Sequence, residues 1–259
     1  MTDLGYRNIP EKTLYIDLPK SGNLRIKGIL RGELTQPLAV IMHGRPGSGN
    51  DLLPYLGARY LYEHGLASLR LFMYDVEPST RNLADCVLET HVQDFERVAQ
   101  YLRDHKVPQI FAVGHSYGGL TILSSKVVLD GAVLWDASHG LAWQDTKLAR
   151  EMEDVETASL VIGLNGRGYV TPKLMHEFDQ SLGDNSSWSA HKGYPLKIIT
   201  APEGRLAEYG KKYFERADKP KQYVEIPEAG HSFNESDAIT FKLFKETADW
   251  FKEILDDRL

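Results

Sequence analysis

The pentapeptide Gly114-His115-Ser116-Tyr117-Gly118 constrains the fold of this chain more than any other segment, because it stands between a predicted strand and a predicted helix. Residues 108–113 form a short apolar run with β-branched and aromatic side chains, as expected of a buried strand. Residues 119–126 begin with small side chains and predict a helix. Glycine permits a turn that a Cβ would block, and Gly-x-Ser-x-Gly between strand and helix is typical of a nucleophile elbow. We therefore expect Ser116 to lie on a sharp turn with its hydroxyl accessible.

A serine hydroxyl is a weak nucleophile unless a neighbouring base removes its proton, so the elbow predicts a partner histidine. Among the nine histidines, His231 has the most suitable position. Residues 224–233 predict a short strand followed by a glycine-containing loop that carries His231, and a long helix is predicted over residues 236–255. Loops beyond the carboxyl ends of strands are where ligand-facing residues of open α/β sheets lie. His43 and His115 flank the predicted site loops and are interpreted as turn or packing residues.

A third motif lies in residues 40–49, which follow a predicted strand over residues 38–42 and are rich in glycine and proline. Charge that develops on a substrate oxygen requires preorganised donors, commonly backbone N–H groups. Such donors come from the residue after the nucleophile and from an early strand-to-helix loop. The backbone amides of Arg45 and Tyr117 are therefore the predicted oxyanion hole. A phosphate-binding P-loop is excluded because no Gly-Lys-Ser/Thr ends the segment.

Together these motifs resemble those of α/β-hydrolases of the serine esterase and lipase type. The compact feruloyl (cinnamoyl) esterases and monoglyceride lipases are the most similar groups. The likeness runs from about Lys12 to Leu255 and includes a His-Gly-x-Pro-Gly loop, a Gly-His-Ser-x-Gly-Gly elbow and a final Gly-His-Ser loop. The resemblance implies that Ser116 is the nucleophile and His231 the general base.

The acidic member of the expected triad is where this chain departs from the resemblance. In that family the acid usually follows the seventh strand, here residues 196–200, but no aspartate stands in the turn after it. Glu203 is the only carboxylate in that turn, and we favour it as the acid. Asp136, at the end of the preceding predicted strand, is the alternative, because some family members take their acid from that place. If neither carboxylate reaches His231, a non-catalytic relative is expected.

The order of predicted elements favours one α/β domain over residues 1–259, with the α/β-hydrolase fold. We expect a mostly parallel eight-stranded sheet with helices on both faces. An antiparallel hairpin over residues 13–18 and 24–31 opens the chain, and a capping-box pattern at residues 90–93 predicts a helix start. Residues 138–194 interrupt the alternation of strands and helices, which predicts a small cap insertion.

Composition limits the class of protein and the range of partners. A chain of 259 residues with 42% hydrophobic and 25% charged residues is typical of one soluble domain. The net charge of −6 argues against a general nucleic-acid surface. Cys86 is the only cysteine, so a disulfide framework is excluded. The first ten residues lack an apolar signal segment and no stretch is long enough to span a membrane, so a cytoplasmic location is expected.

The sequence therefore predicts a serine hydrolase that cleaves carboxylic esters of small or medium acyl or aryl acids through an acyl-enzyme. The expected partner is a small-molecule ester, and neither a metal nor an organic cofactor is implied. Thioester or peptide cleavage by the same triad stays open. A non-catalytic binding protein on the same fold is the alternative from a different class.

Overall fold

The computed structural model describes residues 10–19, 21–45, 47–83, 86, 88–138, 193–202 and 205–258. Within these ranges the strands are β1 (Glu11–Asp17), β2 (Arg25–Arg31), β3 (Leu38–Met42), β4 (Ala67–Phe72), β5 (Ile110–His115), β6 (Gly131–Trp135), β7 (Leu196–Thr200) and β8 (Lys221–Glu225). The helices of the same ranges are α1 (Leu52–Glu63), α2 (Leu88–Asp104), α3 (Tyr117–Ser124), α4 (Arg205–Arg216) and α5 (Asp237–Leu255). Strands and helices alternate from β3 onward, except across the residues that are not described.

The described strands form one sheet in the order β1-β2-β4-β3-β5-β6-β7-β8. The β1–β2 and β2–β4 pairs are antiparallel, and every later pair is parallel. Met42 lies opposite Gly114, and His115 lies opposite Trp135, so the carboxyl ends of β3, β5 and β6 are side by side. In open parallel sheets this edge is where ligands bind. The predicted eight-stranded, mostly parallel sheet is confirmed.

The sheet is covered on both faces. Every residue of β3, β4, β6 and β7 is buried, which explains the continuous apolar sequences of β3 and β6. In β4 and β7 the buried Arg70 and Lys197 form ion pairs with Glu11 and Glu246. On one face, Leu61 of α1 and Phe251 of α5 belong to one apolar cluster. On the other face, Phe95 of α2, Leu123 of α3 and Tyr213 of α4 belong to a second cluster.

The last helix, α5, is fixed at its start and along its length. The Ser236 side chain accepts a hydrogen bond from the Ile239 amide at 3.3 Å, which caps the helix amino terminus. Farther along, the indole Nε1–H of Trp135 donates to Thr247 Oγ1 at 2.9 Å within the core. Because His231 lies in the loop just before α5, these contacts also limit where that loop can lie.

The opening hairpin predicted at residues 13–18 and 24–31 is confirmed, since β1 and β2 pair antiparallel over these residues. The predicted cap insertion, residues 138–194, lies outside the described residues except at its ends.

The predicted helix start at residues 90–93 was wrong, because α2 is already helical at Leu88. Leu88 packs against Tyr117 and Leu120 of α3. Burial of the Leu88 side chain favours a helix that begins two residues before the capping-box pattern, because tertiary packing overrides local propensity.

Candidate active site

Ser116 lies at the turn between β5 and α3, with φ 52° and ψ −115°. Residues with a side chain rarely adopt this backbone conformation. A Cβ on Gly118 would lie 2.6 Å from the carbonyl oxygen of Met42, and a Cβ on Gly114 would lie 2.5 Å from backbone atoms of Gly118. The sharp turn predicted at Ser116 is therefore present, and its two glycines are required by close backbone approach.

The Ser116 hydroxyl makes its hydrogen bond with Ser138, and the two Oγ atoms are 2.8 Å apart. Ser138 follows β6, and its backbone N–H donates to the Ser116 carbonyl oxygen at 2.9 Å. The Tyr213 hydroxyl donates to the Ser138 carbonyl oxygen at 2.9 Å. Among the described residues, no hydrogen bond joins Ser116 Oγ to the His231 ring. Sequence reasoning missed Ser138, because only the pairing of β5 with β6 brings it beside the serine.

His231 lies in the loop between β8 and α5, and its ring contacts Asp136. The Nδ1 atom of His231 is 2.6 Å from Asp136 Oδ2. The Asp136 side chain is 3% exposed, whereas the His231 side chain is 44% exposed. The other Asp136 oxygen is 3.4 Å from the amide nitrogen of Ala201, which donates to it. A buried carboxylate that accepts the Nδ1 hydrogen of a histidine fixes the ring tautomer and leaves Nε2 available as a base.

The two predicted acids differ in what the structure describes. Asp136, the alternative, directly follows β6 and lies in contact with the His231 ring. Its φ is 43°, a left-handed conformation that aspartate adopts more readily than most residues. Glu203, the favoured acid, lies outside the described residues, so its position relative to His231 stays a prediction.

Ser116 and His231 line the same cavity, which has a volume of about 340 Å³. The loop after β3 forms one side of this cavity, and the start of α1 forms another. Its remaining lining residues are His43, Gly44, Arg45, Gly47, Asp51, Leu52, Leu53, Pro54, His115, Ser232 and Asn234. A cavity of this size accommodates a small organic substrate.

The two predicted oxyanion donors belong to segments that meet at Ser116. Tyr117 is the first residue of α3, where helix geometry directs backbone N–H groups away from the helix. The loop that contains Arg45 runs close to the serine, because a Cβ on Gly44 would lie 2.9 Å from Ser116 Cβ. The Arg45 guanidinium carbon is 5.9 Å from the centre of the Tyr117 ring. Arg45 lines the cavity that contains Ser116, and Tyr117 directly follows Ser116 in the chain.

His115, interpreted from the sequence as a turn or packing residue, contacts the loop that carries His231. Its Nε2 atom is 2.8 Å from the His231 carbonyl oxygen, and the centres of the two rings are 4.8 Å apart. Desolvation, together with the neighbouring His231 and His43, lowers the pKa of His115 to about 3, although its hydrogen bond to the His231 backbone acts in the opposite direction. His115 is thus neutral at physiological pH. No signal in the sequence indicated this contact, which joins residues 116 positions apart.

His91 of α2 is a buried histidine near the site. Its ring packs edge-on against Tyr117, with ring centres 5.0 Å apart. Neither ring nitrogen has a hydrogen-bond partner among the described residues. Burial lowers the pKa of His91 well below its ordinary value of 6.5, and the neighbouring His43, Arg45 and Arg81 lower it further. A neutral imidazole therefore packs against the residue that follows Ser116.

Two features are absent from the described part of the chain. No group of three or more His, Cys, Asp or Glu side chains within it is arranged to hold a metal ion. None of the helices described above has the length and hydropathy needed to cross a lipid bilayer.

Comparisons with known proteins give similarity in structure alone. No protein-family model and no curated protein matches the sequence. Est1E from Butyrivibrio proteoclasticus, solved with ferulic acid bound, superposes with a TM-score of 0.72 at 19% identity, covering 94% of this chain and 99% of that one. A monoacylglycerol lipase from Paleococcus ferrophilus gives a TM-score of 0.68 at 16% identity, covering 88% of this chain and 99% of that one.

A third similar structure is the α/β-hydrolase GrgF from Penicillium sp. sh18, with a TM-score of 0.70 at 13% identity. The superposition covers 94% of this chain and 98% of the GrgF chain. These neighbours extend over nearly the whole chain, and they share its open, mostly parallel eight-stranded sheet with flanking helices. The chain has the α/β-hydrolase fold.

Proposed function

We propose that this protein is a serine hydrolase that cleaves carboxylic esters of small or medium acyl or aryl acids. The observation that carries the proposal is the 2.6 Å contact between His231 Nδ1 and Asp136 Oδ2. His231 also lines the same cavity as Ser116. The strained turn at Ser116 supports it, because strain of this kind is retained at functional sites. The similar structures of Est1E with bound ferulic acid and of a monoacylglycerol lipase favour ester substrates over other carbonyl compounds.

In the proposed reaction, Ser116 Oγ attacks the ester carbonyl while His231 Nε2 accepts the serine proton. Before attack, the Ser116 hydroxyl must turn from Ser138 toward His231, a rotation about one side-chain bond. The carboxylate of Asp136 accepts the Nδ1 hydrogen and stabilises the imidazolium that forms. Backbone N–H groups of Arg45 and Tyr117 donate to the oxyanion of the tetrahedral intermediate.

Collapse of this intermediate breaks the bond to the alcohol, which receives its proton from His231. Water then attacks the acyl-enzyme with His231 again as the base, releasing the acid and restoring Ser116. The reaction needs no redox partner, and each proton is transferred between named groups.

Within this mechanism we assign the acid role to Asp136 and not to Glu203, which the sequence favoured. The assignment is supported by the distance from Asp136 to His231 and by the burial of the carboxylate, since a buried acceptor orients an imidazole firmly. It makes a direct prediction, because the two acids can be neutralised one at a time.

The proposal is tested by labelling with a fluorophosphonate and by hydrolysis of p-nitrophenyl esters of increasing chain length. Mass spectrometry of the labelled wild type identifies the modified residue, which we expect to be Ser116. Ser116→Ala and His231→Ala should remove turnover. Asp136→Asn should lower kcat by roughly 10⁴-fold, whereas the matched variant Glu203→Gln should stay within about threefold of wild type.

A folded wild type that neither labels nor hydrolyses any ester would refute the proposal and favour the non-catalytic binding protein. Labelling at Ser116 together with hydrolysis of thioesters or peptides in preference to oxygen esters would keep the triad and change the substrate class. If Glu203→Gln is the inactive variant, the assignment of Asp136 is wrong.

A further inference from the structure

The tripeptide Gly-His-Ser occurs at residues 114–116 and again at 230–232, and the two copies are in contact. The side chain of His115, the residue before the proposed nucleophile, reaches the backbone of His231, the proposed base. The distance from His115 Nε2 to the His231 carbonyl oxygen is 2.8 Å. The mechanism proposed above assigns no role to this contact.

The direction of this hydrogen bond is fixed by chemistry. A carbonyl oxygen can only accept, so Nε2 of His115 must carry the hydrogen. The neutral ring then has an unprotonated Nδ1, and that atom faces Gly44, since a Cβ on Gly44 would lie 3.1 Å from it. Desolvation keeps the ring neutral by lowering its pKa. His115 is thus a neutral imidazole with one defined tautomer.

The contact matters because it acts on His231 itself, whereas the buried Ala229 and Phe233 fix the loop on either side of it. The His231 side chain is 44% exposed, so packing alone does not hold the ring. Asp136 fixes the ring at Nδ1, but that bond still permits the ring and its backbone to move together around the carboxylate. A second attachment at the His231 backbone, from the residue bonded to Ser116, removes this freedom.

We infer that His115 is a positioning residue that sets the separation between Ser116 and His231 by donating its Nε2 hydrogen to the His231 carbonyl oxygen. This inference rests on the proposed function for its effect on turnover, but the hydrogen bond itself does not depend on activity. A displacement of about 1 Å between reacting groups lowers rate on the order of 100-fold, so loss of the donor affects kcat more than KM.

Two variants separate the hydrogen bond from the packing of the ring. In His115→Gln the side-chain amide nitrogen reaches about as far as Nε2 and can still donate, whereas His115→Leu fills similar space without a donor. We expect His115→Leu to lower kcat by about 10- to 100-fold with KM changed less than about threefold. His115→Gln should recover kcat to within about threefold of wild type. Equal impairment in the two variants would overturn the inference, because the ring would then act by packing alone.

A readout without turnover keeps the test valid if the protein proves inactive. The amides of Ala229 and Phe233 donate to Ile226 and Gly230 carbonyl oxygens at 3.3 and 3.0 Å, so hydrogen exchange at these amides reports the order of the His231 loop. Exchange should accelerate at least about tenfold in His115→Leu and stay near the wild-type rate in His115→Gln.

The ring itself can be observed by ¹⁵N NMR of wild-type histidines. His115 should be neutral at pH 6 with the hydrogen on Nε2. A hydrogen on Nδ1, or unchanged exchange in His115→Leu, would refute the positioning role. Failure of ester turnover in wild type with these NMR and exchange results intact would refute the proposed function only.

Discussion

Two desolvated histidines, the buried His91 and the partly buried His115, should make the stability of this protein fall steeply in mild acid. His91 and His115 both have folded-state pKa values below the ordinary 6.5, because burial disfavours their charged forms. Above pH 6.5 both rings are neutral in the folded and unfolded states, so their contribution to stability is fully present. Below pH 6.5 the unfolded chain binds two protons that the folded protein does not, and stability is lost as pH falls.

The size of the effect follows from the shifts. Each histidine that titrates only in the unfolded state removes about 1.36 kcal/mol per pH unit well below pH 6.5. Since the pKa of His115 is lowered to about 3, this ring stays neutral in the folded protein at pH 4.5. Between pH 8 and pH 4.5 His115 therefore removes up to about 3 kcal/mol, and His91 adds to this loss in the same direction. Such a loss is a large fraction of the stability of a typical domain, which is about 5–15 kcal/mol.

The assay is guanidinium unfolding at pH 8.0, 6.5, 5.5 and 4.5 for wild type, His91→Leu, His115→Gln and the double variant. The slope of the unfolding free energy against pH measures how many protons the chain takes up on unfolding. Below pH 6.5 this number should be smaller by about one in each single variant and by about two in the double variant. At pH 8, His91→Leu should be at least as stable as wild type, because it removes two buried ring nitrogens without partners among the described residues. Parallel pH dependence in wild type and the double variant would refute the reasoning.

Three further predictions concern single contacts. Ser138→Ala should speed fluorophosphonate labelling of Ser116 by about 2- to 10-fold, because it removes a hydrogen bond of about 0.5–1.5 kcal/mol that the Ser116 hydroxyl makes before reaction. Slower labelling would mean that Ser138 assists the chemistry instead. Gly118→Ala should lower the free energy of thermal unfolding by about 3 kcal/mol and abolish labelling of Ser116, since the new Cβ would lie 2.6 Å from the carbonyl oxygen of Met42 at the end of β3. A stable variant that is still labelled would contradict the described turn. Lys197 is buried and its Nζ lies 2.6 Å from Glu246 Oε2, so Glu246→Ala should lower the free energy of unfolding in denaturant by about 3 kcal/mol, whereas Lys197→Met should lower it by about 1 kcal/mol or less. Equal losses in the two variants would argue against an uncompensated buried charge in Glu246→Ala.

Much of the fold could be predicted because local sequence and tertiary burial agree in the central strands. The strand before Ser116 and the strand of residues 196–200 are short apolar runs, and both are buried parallel strands in the structure. The turn at Ser116 was predictable because the close backbone approach that requires its two glycines lies largely within the five-residue motif itself.

The contacts between loops could not be predicted in the same way. Asp136 reaches His231 across 95 positions of sequence, and His115 reaches it across 116. Both contacts depend on where neighbouring strands end, and a side chain one residue earlier or later on a strand points to the opposite face. From spacing alone, Glu203 and Asp136 were therefore comparable choices, and a histidine beside the serine gave no indication of its partner.

The turn Asp136-Ala137-Ser138 has a practical consequence for protein engineering. Its first residue contacts the His231 ring, and its last contacts the Ser116 hydroxyl, so this three-residue segment contacts both proposed reacting groups. Exchanging the segment that follows, in order to graft a substrate preference from another protein, should begin after Ser138 and end before Gly193, whose amide donates to Asp218 at 3.2 Å. A chimera joined two residues earlier would also replace Ser138, whose side chain contacts the Ser116 hydroxyl.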